Sequence, residues 1–196
     1  MCAAAVALLV VGCTAQPTTS GTPRKAAASR PSAFNATDTA WILLMIPMTE
    51  RAQQLTDLAP SRSTDPAVAT LAARTGTTLR TDLLRLRAAL KRSGVRDTHP
   101  HEGHTMPGMV SLDTLDKASA TKGRPFDRIL TEALRAHVTQ SRVLCAGEQN
   151  QGRADEATGL AAAIARNTTQ QITDLDKLRT AGPGKPGSRT TAKPAG

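Results

Sequence analysis

Between Asn35 and Leu178 the apolar residues recur three or four positions apart in four long runs, the spacing that gathers them on one face of an α-helix. The first run holds Trp41, Leu44, Met45, Met48, Ala52 and Leu55. It follows Asn35, Thr37 and Asp38, all good helix-capping types, and should end near Ala59, before Pro60. Pro47 lies inside it, where the missing amide and the crowding of the Leu43 carbonyl predict a kink. The second run starts after Ser63 to Asp65 with Pro66 in the first turn, carries Val68, Leu71, Ala72, Leu79, Leu83, Leu86 and Leu90, and stops at Gly94. Gly76 weakens its middle by about 1 kcal/mol relative to alanine unless close packing needs it.

Ser111 can cap a short helix through Ala120, and Gly123 with Pro125 opens the third long run, Phe126 to Cys145, whose end Gly147 and Gly152 bracket. The fourth runs from Ala157 to Leu178. No alternating stretch of β-branched or aromatic residues competes as a strand. Four helices joined by short loops, apart from one long central connection, predict an all-α four-helix bundle made of two helical hairpins.

That connection concentrates the chain's candidate chemistry. From His99 to Met109 it holds three of the four histidines (His99, His101 and His104) and two of the five methionines (Met106 and Met109), broken by Pro100, Gly103, Pro107 and Gly108. Neutral imidazole suits copper, zinc and nickel, whereas a soft thioether selects the monovalent ions of copper or silver. The mixture leans towards copper. The plainer reading is a polar connection whose Met106 and Met109 pack on the end of the bundle. His137 falls on the apolar stripe of the third helix, where a hydrogen-bonded core histidine is commoner than a ligand, and Met48 suits gap-filling beside Pro47.

The ends change the picture of where the protein works. Ala3 to Val11 is apolar and too short to span a bilayer, and it fits the core of a secretory signal. Val10-Val11-Gly12-Cys13 resembles the lipobox of bacterial lipoproteins, which implies cleavage before Cys13 and a lipid on its sulfur, although no Lys or Arg precedes the apolar run. The expected organisation is a signal peptide over 1–12, a disordered tether over 13–33, the bundle over 34–180 and a disordered basic tail over 181–196. Cys145 would then be the one thiol of the mature chain, a small buried hydrophobe.

The net charge of +9 is concentrated at these ends, with Arg24, Lys25 and Arg30 in front, Lys185, Arg189 and Lys193 behind, and no acid among either set. Besides the membrane reached through Cys13, anionic lipid or cell-wall polymer is the expected partner, at about 1 kcal/mol per charge near a membrane surface. Nucleic acid is not expected: with one Trp, two Phe and no Tyr there is no stacking platform.

The two hairpins look like copies. Met45-Ile46-Pro47-Met48-Thr49-Glu50-Arg51-Ala52 and Leu134-Arg135-Ala136-His137-Val138-Thr139-Gln140-Ser141 take the same place in each half, as do Leu83-x-x-Leu86 and Ile172-x-x-Leu175 in the helices that follow. With Met45-Ile46-Pro47, His104-x-Met106-Pro107-Gly108-Met109 and Phe126-Asp127, the chain resembles domain-of-unknown-function family 305 over roughly residues 34 to 180. The resemblance implies an exported, ferritin-like helical bundle, with copper binding in some members. It also implies paired histidines in the first helix of each half, where this chain has Met48-Thr49 and His137-Val138, and methionines where it has Leu55, Leu86, Leu144 and Leu175. A Met48/His137 pair at equivalent positions is what this chain keeps of the interior set.

An enzyme is not expected. There is no Glu-x-x-His pair for a di-iron site, no Gly-rich phosphate loop, no Gly-x-Ser-x-Gly elbow and no Cys-x-x-Cys. Two functions stand: a surface-anchored binder of copper or silver through the His/Met connection, and a non-metal envelope lipoprotein serving as an interaction or structural module.

Overall fold

The computed structural model describes residues 33–181, and the signal, lipid-anchor, tether and tail expectations lie outside them. Six helices follow in order: α1 (Ala36–Asp57), α2 (Ala59–Arg62), α3 (Pro66–Ser93), α4 (Leu112–Ala120), α5 (Arg124–Gln151) and α6 (Asp155–Ala181), with no strand among the described residues. α1 packs on α3 and α5, and α6 on α5 and α3, while the α1–α6 diagonal barely touches. The four long helices therefore close a four-sided bundle, with α4 leaning on α5 and α1.

The caps explain the boundaries. Asn35 and Asp38 form a reciprocal box at the start of α1, in which the Asp38 amide donates to Asn35 Oδ1 (2.8 Å) and the Asn35 amide to Asp38 Oδ2 (2.5 Å). α1 runs unbroken through Pro47. It closes at Asp57, two residues short of the expected end, because Pro60 sits in the first turn of the separate one-turn α2, where its lack of an amide costs nothing. Asp65 caps α3 through the Ala67 amide (2.8 Å), and Gly94 ends it with φ +72°. α5 continues past Gly147 as far as Gln151.

Gly76 has the packing reason that the sequence leaves open. A Cβ there would lie 2.9 Å from Thr56 Oγ1, so glycine lets α3 approach α1.

The interior divides into two apolar clusters. One surrounds Trp41, Ile42, Met45, Leu86, Cys145 and Ile164, the other Leu55, Leu79, Phe126, Leu130, Leu134 and Leu175. Along the helices a buried belt falls between them: Met48 and Thr49 on α1, Asp82 on α3, Ser141 on α5, and Thr168 and Gln171 on α6. Among the described residues Asp82 is hydrogen-bonded by Asn167 Nδ2 alone, 3.5 Å from each carboxylate oxygen. Burial pushes its pKa up to about 6, against the pull of Asn167 and Arg85.

Candidate functional site

The connection from Gly94 to Ser111 is built of successive tight turns. The Glu102 amide donates to the His99 carbonyl (3.0 Å), the His104 amide to that of His101 (3.2 Å), and the Met109 amide to that of Met106 (3.0 Å). His99 adopts φ +48°, unusual for a side-chain-bearing residue, and its amide is caught by Asp97 Oδ1 at 2.9 Å. His99 and His104 are exposed, His101 and Met106 half-buried, and Met109 buried.

Two side chains from the bundle grip this connection. Arg51, only 8% exposed on α1, donates through Nη1 to the His104 carbonyl (3.0 Å) and lies 3.1 Å from the Met109 sulfur. On α5, the fully enclosed imidazole of His137 donates to the Gly108 carbonyl, and Nδ1 is left without a partner. Burial holds the His137 pKa down at about 4, opposed in part by that carbonyl, so the ring is neutral at pH 7. Gly108 (φ +72°) lies so close to α5 that a Cβ would run into the Gln140 side chain and come within 3.0 Å of the Ala136 carbonyl. Arg51 and Gln140 hold equivalent positions in the two repeats, so the same register position of each hairpin meets the strap.

These roles decide what the interior donors can do. His137 spends one ring nitrogen on the backbone. The Met109 sulfur already faces a guanidinium, whose charge opposes a second cation there. Met48 is completely buried in the belt between the two apolar clusters. His137 and Met109 thus fasten the connection, and Met48 packs between the two apolar clusters. Among the described residues, no three His, Cys, Asp or Glu side chains come together as a group able to hold a metal. Of the remaining four candidate donors, His99 and His104 are exposed and His101 and Met106 half-buried.

Between the strap and α1 lies a cleft of about 320 Å³, walled by Leu43, Ile46, Pro47 and Leu112 and edged by Glu50, Asp97, His99 and Glu102. Arg87 holds Glu50 at 2.6 Å.

Sequence reasoning missed two features. Arg51 looks like any surface arginine on a helix, because nothing local says that a distant segment will cover it. Glu148 stands near the end of α5, is 1% exposed and faces Asp38 on α1. Asp38 also accepts from the backbone amides of Arg153 (2.9 Å) and Ala154 (3.2 Å). Burial alone would raise its pKa, but the amides of Asn35, Arg153 and Ala154 and the Glu148 side chain outweigh that and hold it below the ordinary carboxylate value. Burial first, and then Asp38, drives Glu148 up to about 8. Ionised, Glu148 has no donor for either oxygen; protonated, it donates a hydrogen bond to the Asp38 carboxylate.

The folded unit is thus an all-helical bundle of two matched hairpins, strapped across by their connection. The family model described as "Domain of unknown function (DUF305)" matches residues 38–179, and the chain belongs to that family. Two solved structures share the fold. One is a DUF305 fragment from Deinococcus radiodurans, 17% identical, with a TM-score of 0.66 over 74% of this chain and 95% of that one. The other is a presumed secreted DUF305 protein from Streptomyces coelicolor, 16% identical, with a TM-score of 0.66 over 74% of this chain and 94% of that one. No curated protein matches the chain.

Proposed function

We propose that this protein is an exported, lipid-anchored helical module of the cell envelope that acts through its outer surface and not through an interior metal centre. The observation that carries this reading is the strap: His137 and Met109, the two donors where the connection meets the bundle, are spent on Gly108 and Arg51. Export is supported by the apolar run Ala3 to Val11, by Cys13 in its lipobox-like setting, and by the presumed secretion of the Streptomyces coelicolor relative. The basic ends hold the module against anionic lipid or cell-wall polymer. Catalysis has no part in this reading.

A second reading keeps monovalent copper or silver as the ligand and places it outside, on His99, His101, His104 and Met106. The exposure of His99 and His104 favours it. Competition titration of the full chain with silver and with monovalent copper at pH 7 separates the two. The first reading expects affinities within threefold of those of the His99/His101/His104→Ala triple variant. A tenfold or greater loss in that variant would replace the first reading with the second. Binding by imidazole would then weaken below about pH 6.

A further inference from the structure

The four methionines among the described residues sit in unequal surroundings. Met45 and Met48 on α1 are 1% and 0% exposed, and Met109 in the strap is 6% exposed. Met106, three residues earlier in the same strap, is half-buried and keeps part of its surface in water. A methionine side chain turns about three bonds, so one that is not packed on all sides brings its sulfur to solvent.

The two strap methionines also differ at the sulfur. Arg51 Nη1 lies 3.1 Å from the Met109 sulfur, so a lone pair there already accepts from a guanidinium and is less available to an electrophile. Among the described residues no donor meets the Met106 sulfur. Met106 stands between the two moorings of the strap: Arg51 holds the His104 carbonyl on one side (3.0 Å), and His137 holds the Gly108 carbonyl on the other. The Met106 carbonyl itself accepts from the Met109 amide at 3.0 Å. All three ties are made to backbone carbonyls, so chemistry at the Met106 side chain removes none of them. Chemistry at the Met109 sulfur would remove the Arg51 contact.

We infer that Met106 is an oxidation site for hydrogen peroxide, and that Arg51 keeps Met109 out of that reaction. The Met106 sulfur gives a lone pair to one peroxide oxygen, the O–O bond breaks, and the other oxygen leaves as water with the proton of the first. Sulfur loses two electrons and the peroxide gains two. The strap then carries a polar sulfoxide while still tied to both hairpins. This site stands on the strap alone and needs neither the envelope location nor a bound metal.

Peroxide treatment of the full chain at pH 7, with a chelator present, tests it by mass spectrometry. Fragmentation of the tryptic peptide from Asp97 to Lys117 separates Met106 from Met109. Met106 gains oxygen at least tenfold faster than Met45, Met48 and Met109. In Arg51→Ala, Met109 oxidises at least threefold faster than in the wild type, while Met45 and Met48 keep their wild-type rates and so report an intact bundle. Protein oxidised at Met106 alone is cut by trypsin after Arg96 within twofold of the untreated rate. A Met106 rate no higher than those of Met45 and Met48, equal rates at Met106 and Met109, or faster cutting after Arg96 would each overturn the site. An unchanged Met109 rate in Arg51→Ala, or a parallel rise at Met45 and Met48, would overturn the part given to Arg51.

Discussion

Asp38 and Glu148 face each other across the α1–α5 contact, and a single proton decides whether the pair attracts or repels. Glu148 titrates near 8 in the folded protein and near 4.5 in the unfolded chain, so between those values the native state holds more protons and stability falls as pH rises. Asp82, raised to about 6, has the same sign over a lower window. His137 has the opposite sign: its folded value near 4 lies below the usual 6.5, so stability is lost as pH falls through that interval. At pH 6.5 Asp82 is largely ionised and the unfolded His137 is still half protonated, so His137 opposes the slope there; above about pH 7 Glu148 dominates it. Urea unfolding should therefore show stability declining from about pH 7 to 8. Glu148→Gln, which keeps a donor for Asp38, should flatten that decline and exceed the wild type at pH 8.

The strap can be weighed at Gly108. Gly108→Ala carries the left-handed penalty of roughly 1–2 kcal/mol and also a collision with Gln140. Gly94→Ala is the matched control, with the same φ of +72° but nothing within 4 Å of the added carbon. Chemical unfolding should find Gly108→Ala the more destabilising by at least about 1 kcal/mol, since overpacking costs that much by itself. Equal losses would mean that the strap stands off α5.

Arg51 should matter more for local opening than for global stability. Arg51→Ala removes the bond to the His104 carbonyl and the contact with the Met109 sulfur, at about 1–2 kcal/mol. Limited trypsin digestion should then cut after the exposed Arg96 several-fold faster than in the wild type. Arg80→Ala breaks an exposed pair with Asp57 and should change stability by less than about 0.5 kcal/mol.

Cys145 should be silent. Burial, then the negative charge of Asp82, push its thiol up to about 12, although Trp41 pulls the other way. In a Cys2→Ser/Cys13→Ser background, a disulfide reagent at pH 8 should leave the native protein unmodified for hours and label it within minutes in denaturant. Fast native labelling would show that the core cluster around Trp41 and Cys145 opens.

The helices were legible in the sequence because their causes are local. The Asn35/Asp38 box, Pro66 after Asp65, Ser111 and Gly94 each mark a boundary within a residue or two of where it falls. The end of α1 was not, since nothing in Leu58-Ala59-Pro60 distinguishes a stopped helix from one restarted as a single turn. At the candidate site, His137 was legible as a core histidine from its place on the stripe, but its partner Gly108 was not. Arg51 and Glu148 were invisible as special residues, because each owes its state to a segment far away in sequence: the strap and the start of α1. A periodic pattern says which face is buried, but not which polar groups are buried with it.

Because Arg51 belongs to the first hairpin and His137 and Gln140 to the second, the segment between Gly94 and Ser111 is moored to both. Neither half can swing away without first casting off a tie that the other half also holds, so a duplicated architecture that could have come apart at its midpoint should melt as one body.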